Sequence, residues 1–308
     1  MITRRDVLVG SGAVLLSACA SSGVDGATGR KLADIEATLG GQMSARLGVC
    51  AINSATGEMI AHRGQESFAM ASTFKWTLAA AMLKMSESGA LLDQRMLFSE
   101  KDLLDYAPVT RARFEAEGRL IGDLKIAEMS VEELCAAAVM ASDNTAANLL
   151  LAGPMMGPGG LTRFYRENGD GQTRLDRNEP ELNANTPGDP RDTTTPEAMA
   201  RLLEHMLVGG DPGMGAALSP ASRAKLTGWM EASNTGLKRL RAGVPAGWRA
   251  GDKTGTGANG AFNDVAIVWP PSGQPIVIAC YQSEGDAPNE VREKAHADVA
   301  RLVVAAWG

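Results

Sequence analysis

A serine and a lysine stand three residues apart at the head of an apolar run, in MASTFKWTLAAAMLK from Met70 to Lys84. Residues three apart share one face of a helix, so Ser72 and Lys75 project side by side. A serine hydroxyl is a weak nucleophile at neutral pH and needs a neighbouring base to take its proton. A lysine is costly to bury unless it is paired or employed. The free N–H groups and dipole at the start of a helix favour developing negative charge, which suits a nucleophile there. The pattern alone is weak, because about one chance S-x-x-K is expected in a chain of this size. SRAK at Ser222–Lys225 is a second copy, in an amphipathic helix where Lys225 can face water.

Three further stretches carry residues suited to chemistry. MASDNTAANLL sets Ser142, Asp143 and Asn144 at the start of a helix, where Asp143 can serve as an N-cap. GDKTGTG sets Lys253, Thr254 and Gly255 on a strand ending in glycines, where backbone N–H groups can approach a ligand closely. NEPELN sets Glu179 and Asn183 in a long polar segment. Each alone has an ordinary structural reading as a cap, an edge strand or a charged surface loop. His62, His205 and His296 are scattered, lie beside no matching serine or acid motif, and are expected on the solvated surface; no zinc site is expected from them. GTGANG at Gly255–Gly260 fits G-x-G-x-x-G, but a strand-like run follows it instead of a helix, so it reads as a turn and not as a dinucleotide site.

The elements that position these residues are α+β in class. A short helix at about 31–39, a strand, a Gly turn and a second strand precede residue 68. Strands are expected to return only near the end, in GWRAGDKTGTG, AFNDVAIVWP and QPIVIACYQS. A closing helix places Val291, Ala295, Val299, Leu302 and Val303 at helical spacing, to pack on that sheet. The expectation is an antiparallel five-stranded sheet flanked by terminal helices, from residues 28–68 and 231–308, with an all-helical domain over 69–230. Pro196 after Thr195 and Pro220 after Ser219 mark helix starts. The polar stretch at about 174–192 is too rich in Gly, Pro and charge for a regular element and reads as an Ω-type loop.

Taken together and in order, S-x-x-K, S-D-N, E-x-x-L-N and K-T-G resemble the motif set of the class A serine β-lactamases. The resemblance covers nearly the whole mature chain, including RLDRNEPELN, PRDTTTPEAMA and KRLRAGVPAGW. It implies a β-lactam hydrolase in which Ser72 is acylated and the backbone N–H groups of Ser72 and Thr256 hold the oxyanion. Losing one such donor typically costs about 10²–10³ in rate. Lys75 or Glu179 would take the serine proton, Ser142 would pass a proton to the departing lactam nitrogen, and Glu179 would activate the deacylating water. Asn144 and Asn183 would hold substrate amide and water, and Lys253, Thr254, Gly255 and Thr256 would bind the substrate carboxylate side. Arg239 resembles the arginine that relatives add for that carboxylate, with a solvated surface arginine as the alternative; the strand GAFNDVAIVW carries none. Tyr106 resembles the aromatic wall of the cleft, and Arg177 with Asp192 the ion pair at the neck of the loop. No cofactor is implied. Related penicillin-binding transpeptidases lack the loop glutamate and stay acylated, so a D,D-peptidase or a β-lactam sensor is the rival reading. RARFEAEGRLIGDLKIAEMS is about ten residues longer than this family leads one to expect, and an extended helix or loop would account for it. Ala71 and Gly257 stand where some carbapenem-hydrolysing relatives carry a cysteine pair.

Composition agrees with a soluble globular enzyme: 308 residues, 44 % hydrophobic, 21 % charged, with a formal net charge of −6. That balance gives no basic footprint for nucleic acid. The opening MITRRDVLVGSGAVLLSACA, residues 1–20, has Arg4 and Arg5 before a short apolar stretch and reads as an export signal; TRRDVLV resembles a twin-arginine signal. LSAC resembles a lipid-attachment site at Cys19, with simple cleavage after ACA as the alternative. A periplasmic location follows, with no membrane-spanning segment and a monomer as the default state. Cys50, Cys135 and Cys280 remain after processing, too few for a disulfide scaffold; Cys50 and Cys280 lie in strands and could face one another, with buried free thiols as the plainer reading.

Overall fold

The computed structural model describes residues 26–209, 217–271 and 273–308. The expected export signal, residues 1–20 with Arg4, Arg5 and Cys19, lies outside the described residues.

Strands β1 (Arg46–Asn53) and β2 (Met59–His62) from the beginning of the chain meet β8 (Arg249–Thr256), β9 (Phe262–Trp269) and β10 (Ile276–Ser283) from its end. They form one sheet in the order β2-β1-β10-β9-β8, with every pair antiparallel. Its inner strands are buried on both faces, which is why they read as nearly continuous apolar runs. On one face, Val49, Val268, Ile278 and Cys280 pack with α1 (Gly26–Leu39) and with Ala295, Val299 and Val303 of α9, the closing helix (Asn289–Trp307). On the other, Cys50, Ile52, Val265, Ile267 and Val277 meet the helical core.

That core is built round α2 (Phe74–Ser86), whose residues from Phe74 to Leu83 are all buried. A helix apolar on every side belongs in the middle of a bundle. Around it lie α4 (Val131–Met140), α5 (Asn144–Ala152) and α6 (Pro158–Glu167), with α7 (Pro196–Leu207) against β1 and β10 and α8 (Pro220–Glu231) against α2 and β8. Thr195 and Ser219 cap the last two, each accepting a hydrogen bond from the backbone three residues on.

Strands are not confined to the ends. β4 (Arg95–Ser99), β5 (Arg119–Ile121) and β6 (Leu124–Ser130) form a three-stranded sheet in the helical middle, in the order β4-β6-β5. The long segment after Tyr106 is thus helix α3 (Pro108–Glu117) followed by a hairpin that turns at Gly122, whose φ of +62° suits glycine. Its strands are short and mix charge with apolar residues, so periodicity did not reveal them. A further two-residue pair, β3 (Phe68–Ala69) with β7 (Thr193–Thr194), ties the chain before Ser72 to the end of the long loop.

The thiols are free and buried. Cys50 pairs with Ala279 and Val49 with Cys280, a one-residue offset that sends the two cysteine side chains to opposite faces of the sheet. The histidines depart from expectation. His62 is partly exposed and lies 2.5 Å from Glu36, but His205 and His296 are buried. Both fall on the packed faces of their helices, among Leu202, Leu203 and Met206 in one case and Ala295 and Val299 in the other.

His296 lies 2.8 Å from Gln282 through Nδ1, and burial, reinforced by the charge of Arg239, pushes its pKa down from 6.5 to about 3. Between those values the unfolded chain binds a proton that the folded chain refuses. Stability attributable to this site therefore falls as pH falls through that window, by up to about 1.4 kcal/mol per pH unit. Denaturant unfolding between about pH 7 and pH 5 should show a shallower acid loss for His296→Gln than for the parent, and parallel slopes would refute the assignment.

Candidate active site

Ser72 sits in a 3-10 turn, Ala71–Thr73, that runs directly into α2. Three anchors hold the chain there: the Met70 N–H donates to Asp192 O at 2.9 Å, and the Asn263 amide donates to the carbonyls of Ala69 and Met70. Ala71 consequently adopts φ +43°, a left-handed conformation that alanine seldom accepts. Gly255 of β8 lies against this turn so closely that a Cβ on it would come within 2.6 Å of Met70 O and 3.1 Å of Ser72 N. That approach sets the end of the K-T-G strand beside the backbone of Ser72.

One helical step on, the Lys75 Nζ is fully buried and donates to Ser72 Oγ at 2.9 Å and to Ser142 O at 2.8 Å. It also donates to Asn144 Oδ1 and pairs with Glu179 Oε1 at 2.9 Å. The Ser72 hydroxyl donates to the same Glu179 oxygen at 3.1 Å. Glu179 is 2 % exposed and faces Ser72, not solvent. Its other oxygen accepts from Asn183 Nδ2. The Ser72 hydroxyl accepts from the ammonium and donates to the carboxylate, so Glu179 is in reach to take its proton, and Lys75 becomes a second acceptor only as a neutral amine, the form its burial favours.

Ser142 closes the opposite side. Its Oγ accepts from Lys253 Nζ at 2.9 Å, and Lys75 Nζ lies 3.5 Å away. Asp143 caps α5 through Ala146 N and ties α3 by accepting from Val109 and Thr110, so it is structural as expected. Burial pulls the Lys75 ammonium below the usual lysine range, with Glu179 acting against the shift. Burial and the charge of Lys75 drive Lys253 further down. The Lys75 charge, in a dry site, makes the Lys253 proton easier to lose.

Ser72 and Ser142 border a cavity of about 490 Å³ whose lining also includes Tyr106, Asn144, Asn183, Thr235, Arg239, Thr254 and Thr256. Tyr106 is 53 % exposed and free to meet a ligand. Arg239 is not solvated: it is 7 % exposed, and its guanidinium donates to Gly255 O, Asn263 O and Thr256 Oγ1. Arg177 and Asp192 pair at 2.6 Å at the loop neck, away from the cavity; the buried Asp192 carboxylate also accepts from the backbone of Asp176 and Arg177. The SRAK lysine, Lys225, pairs with Glu132 near the surface and takes no part.

Two residues were not anticipated. Asn148 clamps Glu179 by the backbone, donating to its carbonyl at 2.7 Å and accepting from its N–H at 2.9 Å. It stands four residues after Asn144, so the helical spacing that paired Ser72 with Lys75 also points to it. Thr235, whose hydroxyl lies 2.7 Å from that of Thr254, comes from an irregular segment without such a signal.

Comparison with known proteins agrees with this geometry. The pattern of the beta-lactamase enzyme family matches residues 30–307. Beta-lactamase AST-1 of Nocardia asteroides is 42 % identical over 279 residues, covering 90 % of this chain and 83 % of that protein. Beta-lactamase CTX-M-97 of Escherichia coli is 42 % identical over 275 residues, 89 % of this chain and 87 % of that one. Among solved structures, an ancestral class A β-lactamase superposes with a TM-score of 0.81 at 50 % identity, covering 91 % of this chain and 100 % of its own. The putative class A β-lactamase PenP of Rhodopseudomonas palustris gives 0.81 at 43 % identity, covering 91 % and 99 %. The chain belongs to the beta-lactamase enzyme family, and within it to the class A serine β-lactamases.

Proposed function

We propose that the chain opens β-lactams by way of a Ser72 ester, and that Glu179 activates the water that clears it. The observation that carries this reading is the single Glu179 oxygen shared between the Ser72 hydroxyl and the Lys75 ammonium. In acylation, Ser72 Oγ attacks the lactam carbonyl, its proton passes to Glu179, or to Lys75 where that is a neutral amine, and the ring C–N bond breaks. Ser142, already accepting from Lys253, gives its own O–H proton to the departing nitrogen and is reprotonated through the lysines beside it, which passes on the proton taken from Ser72 and leaves Glu179 ionised for the next step. Once Oγ is esterified it has no proton to donate, so Glu179 Oε1 loses its hydroxyl partner and a water can take that place. The water attacks the ester carbonyl, its proton goes to Glu179, and Ser72 recovers a proton as the acid product leaves. A positioned base contributes about 10²–10⁴-fold, enough to separate turnover from lasting acylation.

The substrate carboxylate is assigned to Thr254, Thr256 and Arg239, with Lys253 supplying charge from behind, and Tyr106 and Asn183 to the flanks. Export to the periplasm by the N-terminal signal, with twin-arginine passage and lipidation of Cys19 as its variants, and action as a monomer complete the reading. Among the described residues no helix is long and apolar enough to cross a membrane.

Intact-mass measurement after mixing with a penicillin tests the mechanism. The parent chain should return to its unmodified mass, whereas Glu179→Ala should hold an adduct on Ser72, with deacylation slowed by about 10²-fold or more. A persistent adduct on the parent would favour the D,D-peptidase or sensor reading, and rapid clearance by Glu179→Ala would remove the glutamate from its role.

The Asp192 carboxylate, buried and bonded to Arg177 and two backbone N–H groups, fixes the neck of the loop that carries Glu179. Asp192→Asn keeps the shape but removes the charge, and is expected to lower stability by about 1–3 kcal/mol. It should also shift kcat/KM in favour of bulky cephalosporins over penicillins. Unchanged ratios with an unchanged unfolding midpoint would refute this.

A further inference from the structure

The strand beside K-T-G has no arginine, yet it delivers a ring to the same place. Phe262 is the register partner of Thr256 across β8 and β9, and the guanidinium carbon of Arg239 lies 3.6 Å from its ring centroid. Both side chains are buried, at 4 % and 7 % exposure. The Arg239 hydrogen bonds run to two carbonyls and a hydroxyl, at 3.1, 2.6 and 2.7 Å, and among the described residues no carboxylate pairs with it. Arginine is a long, rotamer-rich side chain whose planar head stacks on aromatic faces. A carboxylate partner would fix that head but cancel its charge; an aromatic face fixes it and leaves the charge in place. The ring is itself held: Arg292 stacks 4.5 Å from its centroid while donating to Gly260 O at 2.5 Å, and His296 meets it edge-on at 5.7 Å.

We propose that Phe262 is a positioning residue for Arg239, its ring holding the guanidinium against Gly255, Asn263 and Thr256 so that a cation with no directly paired carboxylate meets the substrate carboxylate. This rests on the assignment of Arg239 to that carboxylate. Phe262 touches no reacting atom and acts on substrate binding alone. Loss of the ring therefore weakens recognition of the free acid and spares the chemical steps.

Steady-state kinetics with a penicillin and with its methyl ester, which lacks the carboxylate charge, tests this. Phe262→Leu should raise KM for the free acid roughly 5- to 30-fold, leave kcat within about twofold, and leave kcat/KM for the ester within about twofold. Phe262→Tyr should restore the parent KM. If the leucine variant shows no cooperative unfolding, Phe262→Met, closer in volume, takes its place in the comparison. Arg239→Gln should raise the free-acid KM at least as much. If Arg239→Gln raises it and loss of the ring does not, the positioning role is overturned while the arginine assignment stands. If Arg239→Gln leaves it unchanged, the assignment itself fails. Equal losses on acid and ester after removal of the ring would mark Phe262 as packing only and overturn the proposal.

Discussion

The structure turns on one buried contact, that of Lys75 with Glu179 across the Ser72 hydroxyl. Two charges removed from water recover their hydration cost only when geometry and additional hydrogen bonds are good. Here they are supplied from every side. Lys75 reaches Ser72, Ser142 and Asn144, and Glu179 is met by Ser72 and Asn183 at its carboxylate and by Asn148 at its backbone. The lysine arrives on the central, largely buried helix α2, the glutamate on an irregular loop, and only the fold brings them together. A loop can present a buried carboxylate only if its ends are fixed, which gives the Asp192 carboxylate its importance although it lies away from the cavity.

The opposite wall of the cleft solves a different electrostatic problem. Lys253 and Arg239 are both buried, and burial pulls both below their usual ranges. Two carboxyls lie behind them on the sheet: Asp252, 2.9 Å from Arg241, and Asp264, which accepts from Leu240 N at 3.1 Å. Burial pushes both carboxyls upward, Asp252 to about 6 and Asp264 well above the usual range, so they offset the cations incompletely. A wall whose counter-charges sit behind it leaves the positive potential of its cations in front. An anionic ligand meets that potential without displacing a resident carboxylate.

The pieces legible in sequence are those with local causes. The terminal strands, the central helix, the Thr195 and Ser219 caps and the Ser72–Lys75 pairing each depend on residues within a turn or a strand of one another. The order of four motifs extended that local reading to a family and so to the partners of Ser72. What escaped depends on distant chain. The β4-β6-β5 sheet is stabilised by pairings whose members are short and half-charged, such as Leu97 with Glu128 and Leu120 with Lys125. The burial of His205 and His296 depends on which face of each helix the core takes. Arg239, read from KRLR as a carboxylate-binding arginine, keeps a surface alternative in sequence because its acceptors, Gly255 O, Thr256 Oγ1 and Asn263 O, come from strands that follow in the chain.

Backbone strain marks the same boundary between local and tertiary causes. Ala71, Ser142 and Asp192 take φ values of +43°, +56° and +58°, each next to or within a motif, and none is a glycine. Such conformations cost on the order of 1–3 kcal/mol apiece and persist only where surroundings over-determine them. Each has its determinants: the two carbonyls before Ala71, those of Ala69 and Met70, are held by Asn263 and Lys75-bearing α2 begins at once, Ser142 is bonded through both its carbonyl and its hydroxyl to buried lysines, and Asp192 is locked by Arg177, by the Asp176 and Arg177 N–H groups at its carboxylate and by the Met70 N–H at its carbonyl. Glycine would relieve the strain at all three, but it would surrender the hydroxyl at Ser142 and the carboxylate at Asp192. At Ala71 it would lower the rigidity with which Ser72 is presented, since glycine leaves more conformational freedom to be lost on folding. The strain is therefore the cost of presenting two functional side chains and one nucleophile in fixed directions, and the buried ion pair beside them is among the interactions that hold it.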